Sequence, residues 1–402
     1  MIKGPLSVAD ALALILDDVE PLAPERVAIG EALGRVLAAP LSAGHTQPPF
    51  DASAMDGYAV RAADIASIPA RLRVIGESAA GRGFRGSIAE REAVRIFTGA
   101  PVPAGADTIV IQENTTRDGD VVAVGPGELD PSYIRRRGFD FKEGQALLEA
   151  GRVLNAREIM LAASMGHGEV SVRRRPRVAL LATGDELVLP GTPPGPDQIV
   201  CSNPFGIAAM VTGAGGAAHF AGIARDTRAS LNAKLDAVGD ADIVVTIGGA
   251  SVGDHDLVGP VLAERGMTLD FWKIAMRPGK PLMFGKLGGQ RVMGVPGNPV
   301  SSMICARVFL VPLIRRLLGL DDHGFATRSA LLTVDMAPNG PRQHYARAIL
   351  ETSAGGETVR PVASQDSSLI AALARSNALI VQPPNAPKSA AGSTVEVLLL
   401  DF

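Results

Sequence analysis

Two cysteines, Cys201 and Cys305, stand in 402 residues. So few exclude a disulfide framework, and no Cys/His spacing reads as a zinc site. The six histidines form no HxxxH pair. No charge dominates either, with 39 Lys+Arg against 42 Asp+Glu and a net charge of −3. That balance provides no general pull toward nucleic acid or acidic membranes, so any anion site must be built locally. Met1-Ile2-Lys3-Gly4-Pro5 lacks the apolar core of a signal peptide. There is no low-complexity tract and no repeat of the length that marks solenoids. These absences lead us to expect a cytoplasmic protein in a reducing compartment, with neither nucleic acid nor membrane as partner.

The composition is 47% hydrophobic and 20% charged, enough apolar material for real cores. At ~150 residues per domain the length suggests two to four domains. The 27 residues Gln198–Ala224 carry no formal charge and have the length of a membrane span. Asn203-Pro204 and Gly213-Ala214-Gly215-Gly216 interrupt them with turns that lipid would leave unsatisfied. They read as a buried helix, a glycine turn and a strand.

Ser7-Val8-Ala9-Asp10 has capping-box spacing and opens a helix to about Asp18. From Pro48 to Asp140 short strands follow, at 72–75, 93–97, 108–112 and 121–124, separated by Gly, Pro and Asp turns. A helix is expected over 157–165, and Arg173-Arg174-Arg175 reads as a solvated linker. From Arg177 strands alternate with helices: strands at 178–181, 217–223, 243–247, 282–284 and 292–295, helices at 203–211, 228–237, 257–265 and 300–318. That rhythm implies a parallel sheet covered on both faces. Pro312 is expected to kink the last helix. After Asp321 short strands return at 330–334, 345–350, 358–362, 378–381 and 395–399, a compact β module.

In such a sheet ligands sit beyond the carboxyl ends of the strands. Those ends carry Thr183-Gly184-Asp185-Glu186-Leu187, the loop Gly248-Gly249-Ala250-Ser251-Val252-Gly253-Asp254-His255-Asp256, and Pro296-Gly297-Asn298-Pro299. Each has a purely architectural reading: a turn with solvated acids, a Ser251 cap, and an Asn298 N-cap followed by proline at the first helical position. What architecture leaves unexplained is that all three fall at strand ends. The glycines let backbone N–H groups approach a phosphate. Glu186, Asp226, Asp254 and Asp256 would repel it unless Mg²⁺ bridged carboxylate and phosphate oxygens. Lys273, Arg277 and Lys280 lie in a Pro- and Gly-stiffened segment that reads either as a surface turn or as an oxyanion clamp.

Two pattern matches are decoys. Gly81-Arg82-Gly83-Phe84-Arg85-Gly86 fits a dinucleotide fingerprint but lacks the βαβ continuation. Gly249-Ala250-Ser251-Val252-Gly253 fits a nucleophile elbow. The acids directly after it would oppose an activated serine and its oxyanion, and the downstream pair Asp321 and His323 sits in a linker.

Six ordered motifs carry a family likeness: Pro49-Phe50-Asp51-Ala52-Ser53-Ala54-Met55-Asp56-Gly57-Tyr58-Ala59-Val60, Thr98–Asp107, Thr183–Leu187, Gly248–Asp256, Arg277-Pro278-Gly279-Lys280-Pro281, and Pro296–Ser301. The chain resembles the molybdopterin molybdenumtransferases, the MoeA and gephyrin E-domain family, from about residue 6 onward. The resemblance implies a multi-domain α/β plus β protein. Its parts are a discontinuous mixed N-terminal domain (1–47 and 141–174), an inserted β domain (48–140), a three-layer molybdopterin-binding α/β domain with a parallel-rich sheet (175–318), and a small C-terminal β domain (319–402). It implies a homodimer, with molybdopterin adenylyltransferase and downstream molybdoenzymes as partners. The implied reaction takes molybdate and adenylylated molybdopterin to molybdenum cofactor and AMP with Mg²⁺.

Carried over by the same likeness, Glu186, Asp226 and Asp256 would meet metal and nucleotide phosphate. Gly248, Gly249 and Ser251 would hold phosphate or pterin, with Thr183, Pro296, Asn298 and Pro299 beside them as substrate-binding residues. Lys273, Arg277 and Lys280 would face the oxyanion, joined by Arg347 and Ser367 or Ser368. Asp56, Thr98 and Asp140 would reach the cleft across the dimer. Arg277 stands where many relatives have lysine, which keeps charge but changes hydrogen-bond geometry. The rival readings are adenylylation of molybdopterin by ATP, which shares the α/β domain and glycine loop, and a scaffold of the same fold without turnover. The Asp56 motif, the inserted domain and the C-terminal module favour insertion over the first. The intact set of acids and bases argues against the second.

Overall fold

The computed structural model describes residues 4–249, 257–320 and 327–401. The chain forms two compact units. One holds the described residues of Met1–Glu25, Gly34–Ala38 and Val172–Phe402, the other Arg26–Leu33 and Ala39–Ser171.

The first unit is centred on a six-stranded sheet, in the order Ala217–Ala224, Arg177–Thr183, Ile243–Ile247, Gln290–Val295, Met283–Leu287, Thr268–Trp272. The first four strands are parallel, and near-continuous apolar runs such as Ile243–Ile247 are buried on both faces. Met283–Leu287 alone runs antiparallel, to Gln290–Val295 on one side and Thr268–Trp272 on the other, so the expected parallel sheet is a mixed one. Thr268–Trp272 is the strand the sequence hid, because Asp270 breaks its apolar run. Ile207, Met210 and Val211 of the helix Asn203–Gly213 pack on one face. Leu231 and Leu235 of Arg228–Asp236 cover the other, with Val261 and Leu262 of Val258–Glu264.

At the N-terminus Ser7 caps the helix Val8–Leu16, its Oγ accepting from Asp10 N at 3.1 Å. The uncharged stretch 198–224 resolves into a helix, a turn at Gly215 with φ +93°, and an edge strand. Among the described residues no helix is long and apolar enough to cross a membrane. The arginines at 173–175 depart from a solvated linker. Arg174 donates both ends of its fork to Asp242, at 2.9 and 2.8 Å, and Arg173 donates to the Leu22 carbonyl. The long C-terminal helix of this region runs Pro299–Cys305, then a π turn Ala306–Leu310, then Val311–Leu317. The wider turn accommodates Pro312, which has no N–H to donate backward.

The β module closes on itself. Strands Thr327–Leu332, Gln343–Ser353, Gly356–Pro361, Ala378–Gln382 and Thr394–Leu399 form a ring, because Gln343–Ser353 pairs with both Gly356–Pro361 and Ala378–Gln382. Met276–Arg277 adds in parallel to Gln343 and His344, which joins the cationic turn to the barrel. A short helix, Ile370–Ala374, interrupts the strands.

The second unit contains its own six-stranded sheet, in the order Thr108–Ile111, Gly57–Val60, Glu92–Ile96, Ala70–Ser78, Val121–Val124, Thr115–Asp118. Tyr58, Leu72, Val110 and Val122 lie in one buried cluster and Ile96 and Ile109 in another. Gly57–Val60 was not expected as a strand. A Cβ at Gly57 would run into the Val110 carbonyl, so glycine permits the close pairing that places Asp56 at the strand's entrance. The Gly81–Gly86 match lies in an irregular loop and leads to the strand Glu92–Ile96, not to a helix.

Candidate functional site

Parallel strands end together, and so do the loops they carry. A crevice of about 810 Å³ opens at the carboxyl ends of the α/β strands, within the ~300–1,000 Å³ typical of ligand sites. Thr183, Gly184, Glu186, Asp226, Gly248 and Gly249 line it, with Pro296, Gly297, Asn298 and Pro299. Pro281, next to Lys280, and Ser368 of the β module complete the wall.

Backbone crowding accounts for the glycines. Gly248 has φ +90°, and a Cβ there would stand 2.9 Å from the Thr183 carbonyl oxygen and 3.0 Å from its hydroxyl. A side chain would be strained and would separate the two loops. A Cβ on Gly297 would in turn lie 3.6 Å from Gly248 Cα, so the 248 and 296 loops touch. Asn203 ties the start of its helix to the same place by donating to the Gly297 carbonyl at 2.7 Å.

Two carboxylates, Glu186 and Asp226, share this crevice. The Asp226 N–H donates to Asp185 Oδ1 at 3.3 Å, and Arg225 donates to the Asp185 carbonyl, which holds the two acidic loops side by side. Among the described residues no cation pairs with either Glu186 or Asp226, and no group of three or more metal-ligating side chains gathers. Two hard oxygen donors still suit Mg²⁺, which takes one or two carboxylates together with substrate phosphates and water. The expected third acid, Asp256, lies outside the described residues, as do Ser251, Asp254, His255, Asp321 and His323. Cys201 also faces the crevice. Burial and then the neighbouring Glu186 push its thiol pKa above the ordinary range.

The cationic turn is rigid where it meets this wall. Lys273 has φ +101°, a conformation that costs ~1–2 kcal/mol for a side chain with a Cβ. It is held by Lys273 N donating to Leu282 O and Leu6 N donating to Lys273 O. Arg277 and Lys280 are exposed, and among the described residues no carboxylate pairs with Lys273, Arg277 or Lys280. His344 reports the surrounding field. Burial first, then the charges of Arg277, Arg342 and Arg347, lower its pKa to about 4.

Arg347 is placed differently from the expectation of an oxyanion ligand. It is 1% exposed, and its guanidinium donates to the carbonyls of Leu369, Ser364 and Asp366 at 3.0, 3.1 and 2.8 Å. Gln365 clasps its backbone from both sides. Arg347 therefore shapes the 364–369 loop that carries Ser367 and Ser368. That loop docks on the start of the helix Pro299–Cys305: Asn298 Nδ2 donates to Ser367 Oγ at 3.0 Å and Val300 N to Ser367 O at 3.1 Å. Asn298 thus departs from the expected side-chain cap. Its amide reaches the loop, while its carbonyl accepts from Ser302 N.

Asp56, Thr98 and Asp140 belong to the second unit. Asp56 Oδ1 accepts from Thr98 N at 2.8 Å and Thr98 Oγ1 at 2.9 Å, which holds its carboxyl pKa below the usual range. Asp140 is exposed, with its N–H on the Gln47 carbonyl. Asp51 braces the neighbouring loop by accepting from Arg136 Nη1 and Arg137 N.

Cys201, Asn203 and Ile370 line the crevice without being site candidates in the sequence. Asn203-Pro204 had a signal. It repeats the Asn-Pro helix start of Asn298-Pro299, and the two starts meet through Gly297. Ile370 had none, since an isoleucine in a loop-rich stretch looks like any other.

Comparison with known proteins covers nearly the whole chain. Three family profiles match in order: the MoeA N-terminal region (domain I and II) over residues 6–166, a probable molybdopterin binding domain over 179–316, and the MoeA C-terminal region (domain IV) over 329–400. Molybdopterin molybdenumtransferase 2 of Mycobacterium tuberculosis is 37% identical, over 97% of this chain and 98% of its own. Molybdopterin molybdenumtransferase of Nostoc sp. is 36% identical, over 98% and 94%. The crystal structure of a molybdopterin biosynthesis MoeA protein from Pyrococcus horikoshii superposes with a TM-score of 0.86 at 30% identity, over 99% of this chain and 100% of that one.

Proposed function

The chain belongs to the MoeA family of molybdopterin molybdenumtransferases, and from that premise we propose that it inserts molybdenum from molybdate into adenylylated molybdopterin, releasing AMP. The observation that carries this reading is the meeting of the 183–186, 248–249 and 296–299 loops in one crevice, with Pro281 and Ser368 on its wall. Backbone N–H groups at Gly248 and Gly249 approach the substrate phosphate. Lys280 and Arg277, with Lys273 behind them, grip the molybdate oxygens from a stiff turn, so little reorganisation is needed as charge moves. The dithiolene sulfurs of the substrate are the ligands of molybdenum. Cys201, kept protonated, does not compete for it.

Glu186 and Asp226, with Asp256, would hold Mg²⁺. When bound, it supplies Lewis-acid stabilisation for the charge on the departing AMP. A homodimer is part of the reading: Asp56, Thr98 and Asp140 of a second copy complete the site, with Thr98 keeping the Asp56 carboxylate ionised and aimed. A cytoplasmic setting fits the two reduced, buried thiols. Molybdopterin adenylyltransferase would supply the substrate, and molybdoenzymes would receive the product.

The test offers the protein two mixtures. Adenylylated molybdopterin with molybdate and Mg²⁺ should yield AMP and cofactor, and excess chelator should stop it. Molybdopterin with MgATP should yield nothing. Formation of the adenylate in the second mixture overturns the assignment.

A further inference from the structure

Arg277 lies directly opposite His344 in its strand pairing, and His344 lies directly opposite Gln382 on the strand beyond. Residues opposite one another leave a sheet on the same face. Arg277, His344 and Gln382 therefore form a row across three strands. Two positions along that face, Ala346 and Ile380 pair with each other and belong to the buried core of the barrel. The row thus lies at one end of that core. His344 is 7% exposed and Gln382 6%, whereas Arg277, at the outer end, is exposed.

Buried polar side chains need partners. Gln382 Nε2 donates to the Ala337 carbonyl at 2.9 Å, which turns the amide oxygen toward the ring of His344. Asn339 fastens the same residue by donating to the Gln382 carbonyl at 3.2 Å. An imidazole that donates one N–H to an amide oxygen keeps its other nitrogen as an acceptor. A guanidinium is all donor, and Arg277 has no carboxylate partner among the described residues. A neutral imidazole beside it offers an acceptor without a counter-charge. Burial and the charges of Arg277, Arg342 and Arg347 all oppose protonation of that ring.

We propose that His344, pinned by Gln382, is a positioning residue for Arg277: it limits where the guanidinium can swing and leaves the full positive charge for the oxyanion. The role presupposes the grip on molybdate proposed above for Arg277. A long side chain loses rotamer freedom when it takes hold of a ligand, and restraint supplied in advance lowers that cost. His344 does not touch the oxyanion, so its loss acts only through Arg277.

The test is a double-mutant cycle in the full-length protein, with kcat and KM for molybdate read separately at saturating adenylylated molybdopterin. Arg277→Gln should raise KM for molybdate about tenfold or more. His344→Ala alone should raise it about fivefold, with kcat within about twofold of wild type, and should add nothing in the Arg277→Gln background. Gln382→Leu leaves the ring but unpins it. It should act in the same direction, and it replaces His344→Ala in the cycle should that variant not fold. If the single variants leave KM unchanged, if their effects multiply with that of Arg277→Gln, or if kcat falls while KM holds, the positioning role falls and the oxyanion grip stands. If Arg277→Gln itself leaves KM unchanged, the grip assigned to Arg277 falls, and the role of His344 with it.

Discussion

The turn at 273–280 and the strand position 347 both supply cations near the same wall, and they serve opposite ends. Arg347 is buried, with its fork filled by three backbone carbonyls. Arg277 and Lys280 are exposed, without a carboxylate partner among the described residues. Burying a guanidinium is tolerable only when carbonyls replace its water. An arginine so engaged orders a loop and has little left for a ligand. A cation left unpaired on a rigid turn remains available to an incoming anion. Between Arg347 and Arg277 the residue type is the same, so the environment decides.

Four measurements test this contrast. The largest effect is expected at Arg347. Arg347→Met strands three carbonyls and should lower unfolding stability by ~3–5 kcal/mol in urea denaturation. It should also expose the 364–369 loop to protease. A stability near wild type with weakened molybdate binding would return Arg347 to the oxyanion pocket. Next comes Lys280→Met. Loss of one preorganised charge should reduce kcat/KM for molybdate by ~10²–10³-fold, with stability within ~0.5 kcal/mol of wild type. A large loss of stability instead would make Lys280 a structural cation like Arg347.

The third measurement uses pH. His344 has its pKa lowered from 6.5 to about 4, so the unfolded chain binds the proton first as pH falls. Its contribution is complete above about pH 6.5 and is lost on descending toward 4, amounting to ~3 kcal/mol. Comparing stability at the two ends in wild type and His344→Gln should isolate that slope, and equal slopes would disprove it. The smallest effect is on the same histidine. Arg277→Gln removes a nearby positive charge, so the His344 titration followed by NMR should move upward. An unmoved titration would mean that burial, with Arg342 and Arg347, sets it and that Arg277 points its charge elsewhere.

Much of the α/β region is legible in the sequence. Ile243–Ile247 stands as read, because a doubly covered parallel strand needs an unbroken apolar run. The clustering of Thr183, Glu186, Gly248 and Asn298 followed from strands sharing a direction. Thr268–Trp272 was illegible because Asp270 interrupts its pattern, and pairing with Met283–Leu287 makes up for that. Asn298 looked like a helix cap in sequence. A distant loop claimed its amide, which local spacing does not reveal.

The periodicities, the glycine-bearing strand ends and the ordered motifs of a molybdenumtransferase are legible along the chain. These depend on neighbouring residues and on the geometry of a strand or a helical turn. That Arg347 orders a loop while Lys280 stands open, and that an apolar chamber adjoins a charged crevice, came from packing. Burial and hydrogen-bond partnership are supplied by chain far away in sequence, and a charged or apolar residue takes its role from them.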